Sequence, residues 1–295
     1  MRKLSFFVII FLIALSAVAQ VSRGVEAITR QSCEAQVTFL SSDLLQGRKA
    51  GTAENRIAAE YLASLFAEMG YKTVFQKFKG KKDSVHLQNV LIEIQGVDTS
   101  RCIVVGSHYD HLGVREGEIY NGADDNASGA VAIVQIAKAI KAAGLKPKYT
   151  IVLALWDAEE GGLWGSKHYV ASCADPKKIV GYMNFDMIGR NSDETKPQSF
   201  TYFYTKAYPE YEKWLNLAIA EYHLDLKPDF SRWDDPTSGS DNASFAKAGV
   251  PICWYHTGGH ADYHKPTDTV DKINWAKMVD IIRSSYFVAW QMANS

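Results

Sequence analysis

Apolar residues recur at helical spacing between residues 52 and 70, where Ile57, Ala58, Tyr61, Leu62, Leu65 and Phe66 share one face and Gly70 marks the stop. The same period returns after Asn126, through Val131, Ile133, Val134, Ile136, Ala137 and Ile140, with Gly144 and Pro147 closing a helix near 126 to 143. Short runs rich in β-formers separate these segments: QNVLIEIQ (88–95), CIVVGS (102–107), YTIVLALW (149–156) and VGYMNF (180–185). A helix near 163 to 171 falls between the last two. Further on, the pattern predicts a strand over 199–205, helices over 209–222 and 240–247, a strand over 250–255 and a final helix over 275–292. Residues 223 to 240 contain Pro228, Trp233, Pro236 and Gly239 and read as a loop close to a site. Strands that alternate with helices predict an α/β fold in one domain, with a mixed, mostly parallel central sheet covered by helices on both faces.

Composition narrows the range of functions. The chain has 295 residues, 47% hydrophobic and 22% charged, with a formal net charge of −1. No long Lys/Arg run is present, which argues against nucleic acid as a partner. The first residues, MRKLSFFVIIFLIALSAVAQ, set Arg2 and Lys3 before a short apolar run and Ala17-Val18-Ala19. That layout predicts a signal peptide over 1–19, cleaved after Ala19, with residues 20–295 as the exported domain, periplasmic or extracellular and not held in a membrane. Cys33, Cys102, Cys173 and Cys253 show no C-x-x-C spacing, and their pairing stays open.

The polar residues are not scattered. In open α/β sheets, ligands bind beyond the carboxyl ends of strands. CIVVGS runs into His108-Tyr109-Asp110, YTIVLALW into Asp157-Ala158-Glu159-Glu160, VGYMNF into Asp186, and the last strand into a loop with His256, His260, Asp262 and His264. Between the first two lies NGADDNASGA (121–130), whose adjacent Asp124 and Asp125 would, taken alone, read as a helix cap. Imidazoles and carboxylates concentrated on one sheet edge suit zinc or similar divalent ions. Five such side chains exceed what one catalytic ion takes from protein and suit two ions about 3.5–4 Å apart.

The blocks SHYDHLG (107–113), GADDNASG (122–129), WDAEEGGLWGS (156–166), NFDMIGR (184–190) and DYHKPTDT (262–269), in that order, resemble the M28 zinc aminopeptidases, and LSSDLLQGRKAGT resembles their entry segment. The resemblance implies a dizinc exopeptidase with His108, Asp125, Glu160, Asp186 and His264 as metal ligands. Asp125 would bridge the ions, preceding a cis peptide bond to Asn126, while Asp124 would bond within the loop. Asn126 and Ser128 would serve the helix start. Glu159 would be the general base that takes a proton from the attacking water and gives it to the leaving amine. Glu159 and Glu160, adjacent at a strand end, would point to opposite sides.

Asp110 would accept the second ring N–H of His108, Asp268 would support His264, and Tyr263 would hydrogen-bond the oxyanion. His111, His256 and His260 receive no ligand role from the resemblance.

Asn242 stands where the family often has histidine in a Ser-Asp-His-x-x-Phe segment, which bears on substrate contacts and not on the metals. The short span from Lys79 to Gln88 leaves no room for the accessory domain that some relatives insert there, so a minimal catalytic domain is expected. The implied partner is a peptide with a free amino terminus. Carboxypeptidase or dipeptidase action on the same site, a one-zinc glutaminyl cyclase and an inactive binding module are the competing readings; the full ligand set with Glu159 favours the first function over the last two.

Overall fold

The computed structural model describes residues 19 to 80 and 86 to 295, so the expected signal peptide lies, up to residue 18, outside the described residues. Eight strands form one sheet in the order β1-β2-β6-β3-β7-β10-β8-β9. They are β1 (Thr73–Lys79), β2 (His86–Ile94), β3 (Asp98–His108), β6 (Tyr149–Trp156), β7 (Ile179–Phe185), β8 (Ser199–Thr205), β9 (Lys227–Trp233) and β10 (Ile252–His256). The pairings β3/β6, β3/β7, β7/β10 and β8/β9 are parallel, whereas β1/β2, β2/β6 and β8/β10 are antiparallel. The mixed, mostly parallel sheet expected from the sequence is therefore present. A small hairpin of β4 (Gly113–Arg115) and β5 (Glu118–Tyr120) stands apart from it.

Both faces are covered because the central strands are buried on both sides, β3 from Ile103 onward and β6 along its whole length. Side chains alternate across a strand. Ile103 and Val105 of β3, with Ile151, Leu153 and Leu155 of β6, join the larger core. Against that face pack α1 (Arg30–Leu40), α2 (Ala53–Glu68), α3 (Gly129–Ala143), α5 (Glu210–Glu221) and α7 (Trp275–Asn294). Val104, Val152, Ala154 and Trp156 point the other way, into a smaller core with Tyr169 and Val170 of α4 (Trp164–Ser172) and Phe245 of α6 (Asn242–Lys247). Each fully buried Val, Leu or Ile side chain contributes roughly 1.5–3 kcal/mol.

α3 is buried almost all round, and it ends at Gly144, whose φ of 65° lets its N–H reach the Ile140 carbonyl.

Besides the β4/β5 hairpin, three elements lie outside the pattern read from the sequence. β9 occupies part of the segment expected to be a loop; as an edge strand it tolerates Pro228, whose missing N–H interrupts no ladder on the open side. β1 is the opposite edge, with only Phe78 buried, so its apolar signal is weak. α1 shows apolar spacing only at Cys33, Val37 and Leu40. All four cysteines are free thiols, and burial pushes those of Cys33 and Cys253 up to about 12.

Candidate metal centre at the strand carboxyl ends

The carboxyl ends of β3, β6, β7 and β10 bring together the residues singled out above. β3 ends at His108, Asp186 follows β7 directly, and His264 lies on the loop after β10 with a φ of 54°. Asp125 comes from the turn that starts α3, and its peptide bond to Asn126 is cis, as the resemblance implied. That turn is fixed from three sides. Asn126 donates to Ser107 Oγ and the Phe185 carbonyl, both at 3.0 Å, while its Oδ1 accepts the N–H groups of Gly129 and Met187. Asn126 thus caps α3. The Ser128 hydroxyl instead donates to the Asp124 carbonyl at 2.7 Å and accepts from Ile188 N–H at 3.1 Å.

Asp125 faces two clusters, one with each oxygen. Its Oδ1 is 3.6 Å from His108 Nε2, which is 3.5 Å from Asp186 Oδ1. Its Oδ2 is 3.1 Å from His264 Nε2, which is 3.3 Å from Glu160 Oε2. The donor atoms of His108, Asp125 and Asp186 all lie within 4.8 Å of one another, as do those of His111, Asp125 and Glu160. Bonds of about 2.0–2.2 Å to zinc, arranged tetrahedrally, would hold ligand atoms roughly 3.3 Å apart. Each cluster therefore has spacings that fit a bound divalent ion.

The ring of His108 is oriented for this purpose. Its Nδ1 is 3.2 Å from the Asp110 main-chain carbonyl and 3.6 Å from the Asp110 carboxylate. Both are acceptors, so Nδ1 donates to Asp110 while Nε2 is turned toward Asp125 and Asp186. The Asp110 carboxylate, besides facing that ring nitrogen, has a second task. It accepts the N–H groups of Glu159 and Glu160, at 2.9 and 3.4 Å. Those two glutamates lie on a turn beyond β6, after Ala158 with a φ of 58°, and not in the strand; the turn, rather than strand alternation, separates their side chains. Glu160 joins His264, whereas Glu159 Oε2 lies 4.0 Å from His108 Nε2.

Asp268 also departs from expectation. Its carboxylate accepts the N–H groups of Asp124 and Asp125, at 3.0–3.2 Å, and so holds the loop of Asp125 in place of His264. Asp124 bonds within its loop, its carboxylate accepting the Ser128 hydroxyl at 3.2 Å, and also beyond it, accepting Gly189 N–H at 2.6 Å, with His260 Nε2 at 3.2 Å from its other oxygen. Tyr263 is 46% exposed, and its ring stacks on His264 with centroids 3.9 Å apart. It lines a cavity of about 260 Å3 with His108, Asp125, Glu159, Asp186 and Trp254. Larger cavities exist: one of about 500 Å3 lies at the opposite strand ends, by Tyr149, Ile179 and Val250, and holds none of these residues.

Charge at the centre is unbalanced. Burial pushes the Glu159 carboxyl well above its usual range, against the pull of His108 and with the push of Asp186 and Asp241. Burial opposes ionisation of Glu160 as well, but hydrogen bonds from His111 and His264 outweigh it and hold the carboxyl far below its usual range. Hydrogen bonds to Asp125 and Glu160 raise His264 to about 10. Burial disfavours charge on His108, yet Asp186 and Glu159 overcome it and raise the imidazole well above its usual value. Buried carboxylates are stabilised by paired cations, and His108 and His264 face them here.

Three contributors carry no role in the sequence reading. Arg48, fully buried, donates to the main-chain carbonyls of Leu40, Tyr109, Asn121, Gly122 and Asp125, and so clamps the loop of Asp125 from behind. Its place in the entry segment LSSDLLQGRKAGT was the available signal. Asp241 is fully buried with neither carboxylate oxygen hydrogen-bonded, and burial raises it to about 7 against the influence of His108. His111 places Nδ1 2.9 Å from Glu160 Oε1. Its nearness to Asp110 in sequence was visible, but the direction of its ring was not.

A mixed α/β sheet with two histidine–carboxylate clusters joined by one aspartate at the strand carboxyl ends defines the class. The profile of peptidase family M28 matches residues 89 to 288, and the chain belongs to that family. It is similar to leupeptin-inactivating enzyme 1 of Streptomyces exfoliatus, with 29% identity over 239 residues, 80% of this chain and 50% of that one. The chain spans about half the length of the curated relatives it matches. In fold it is similar to the LapA aminopeptidase of Legionella pneumophila, with a TM-score of 0.79 at 23% identity over 94% of this chain and 74% of that one. A zinc aminopeptidase from Bacillus subtilis matches with a TM-score of 0.77 at 14% identity, over 91% and 96% of the two chains.

Proposed function

We propose that the chain is an exported, two-metal aminopeptidase that hydrolyses the amino-terminal bond of peptides. The observation that carries this reading is the division of Asp125, with one oxygen toward His108 and the other toward His264. His108, Asp125 and Asp186 would hold one ion, and Asp125, Glu160 and His264 the other; imidazole with carboxylate suits zinc. Bound there, the ions would polarise the scissile carbonyl and let water attack near neutral pH. A one-ion cyclase would leave the cluster of His108 and Asp186 without a use.

Glu159 takes a proton from the attacking water and delivers it to the departing amine. Burial raises the Tyr263 hydroxyl, and Asp125 and its acidic neighbours add to that, so it stays protonated and can donate to the oxyanion. Among the described residues, the cavity lining holds neither lysine nor arginine to pair a substrate carboxylate, which favours action at the amino end. The basic and apolar start of the chain supports export, and no helix among the described residues is long and apolar enough to cross a membrane.

Glu159→Gln tests the mechanism. The variant should bind metal as the parent does and lose roughly 10²–10⁴-fold in kcat. Full activity in that variant would remove Glu159 from the reaction.

A further inference from the structure

We propose that His111 is a further protein ligand, through Nδ1, of the ion held by Asp125, Glu160 and His264, so that the two metal positions differ in kind. The inference rests on the two-metal reading above and goes beyond the five ligands it uses. Nδ1 of His111 lies 2.9 Å from Glu160 Oε1 and 3.8 Å from Asp125 Oδ2. With His264 Nε2 at 3.1 Å from Asp125 and 3.3 Å from Glu160, two imidazole nitrogens and two carboxylates converge on one space. Their separations bracket the roughly 3.3 Å expected between tetrahedral ligands of zinc.

The ring is held in that direction. His111 is 1% exposed, and its main-chain N–H donates to the Arg48 carbonyl. Its imidazole lies against Gly122, where a Cβ would come within 2.5 Å of His111 Cδ2. Nε2 is buried with no hydrogen-bond partner, so the ring meets other polar groups only through Nδ1. That nitrogen faces the Glu160 cluster.

The consequence is an asymmetric pair. The Asp186 side offers one imidazole and two carboxylates; the Glu160 side offers two of each. Nitrogen-rich sites favour zinc and cobalt over manganese or magnesium. The Glu160 side should therefore fill first and give up its ion last, while the Asp186 side exchanges.

The test is metal binding by the full chain stripped of metal. Zn2+ titration is followed by calorimetry, and X-ray absorption is recorded at one equivalent of Zn2+, for the parent, His111→Ala, His111→Asn and Asp186→Asn. The parent should bind two ions in a tighter and a weaker step, with two imidazoles around the first. Both His111 variants should show one imidazole there and about ten-fold or more weaker tight binding. Asp186→Asn should weaken only the second step.

Circular dichroism of the metal-free variants separates loss of a ligand from loss of fold, and His111→Asn, which keeps a polar group, serves if the alanine variant does not fold. Two imidazoles at the first zinc in a folded His111 variant, or unchanged affinities in both steps, would overturn the proposal and leave His111 as a hydrogen-bond support of Glu160. A parent that binds one ion or none would instead sink the two-metal reading itself.

Discussion

Asp125 can face two clusters because Arg48 and Asp268 hold its loop from opposite sides. Arg48 takes five main-chain carbonyls, that of Asp125 included, while Asp268 accepts the N–H groups of Asp124 and Asp125. Burial lowers Arg48 to about 10, against the pull of Asp125, Asp110, Asp268 and Glu160. It still carries its charge at neutral pH, among those carboxylates. Arg48→Met should therefore destabilise the protein by about 3–5 kcal/mol, measured by urea unfolding, because it leaves buried carbonyls and carboxylates without their cation.

Arg48→Lys should recover little, since an ammonium cannot reproduce the planar fork. His264 supplies a pH signature. At about 10 in the metal-free protein, it is protonated at neutral pH, and an ion needs the neutral ring. Metal affinity should rise with pH up to about 10, with proton release in calorimetry repeated in buffers of different ionisation heat. Affinity that is flat in pH would show that His264 gives up no proton to bind.

At the scale of elements, the turn from Gly122 to Ser128 is the joint between β5 and α3. Gly122 has a φ of 56°, and a Cβ there would lie 2.0 Å from the Asp125 carbonyl oxygen and 2.5 Å from His111 Cδ2. Gly122→Ala should cost at least about 1–2 kcal/mol from the left-handed backbone alone. It should also weaken metal binding, because the alanine pushes on Asp125; a variant that melts like the parent and binds metal equally would refute this.

The sequence was most informative where burial is complete. β6, β7, β10 and the second half of β3 are almost entirely buried, and His108, Glu159, Asp186 and His256, at or just beyond their ends, line one cavity. It was least informative at the edges. β9, with Pro228 and alternating polar residues, carries no strand signal strong enough to outweigh its turn formers, and α1 buries only Cys33, Val37 and Leu40. Within the site, which residues the fold brings together could be read from spacing and resemblance. The tasks of Asp110 and Asp268 could not, because they depend on which backbone N–H groups the folded turns bring to each carboxylate. Nor could the ring direction of His111, which is set by packing against Gly122.

The molecule as a whole is a sheet whose two covered faces leave one free edge for chemistry, the carboxyl ends of its central strands. Helices of the larger face anchor the segments that meet there: α3 follows directly from the turn of Asp125, and the entry segment before α2 delivers Arg48 beneath it. As proposed above, action at a peptide's amino end is favoured because no lysine or arginine among the described residues lines this cavity to pair a substrate carboxylate. The most direct measurement is hydrolysis of a peptide with a free amino terminus and of its N-acetylated copy by protein of counted zinc content, with and without chelator. The free-amine peptide should lose its first residue only when zinc is present, and the acetylated copy should stay intact. Equal cleavage of both peptides, or cleavage that survives complete removal of metal, would contradict the account.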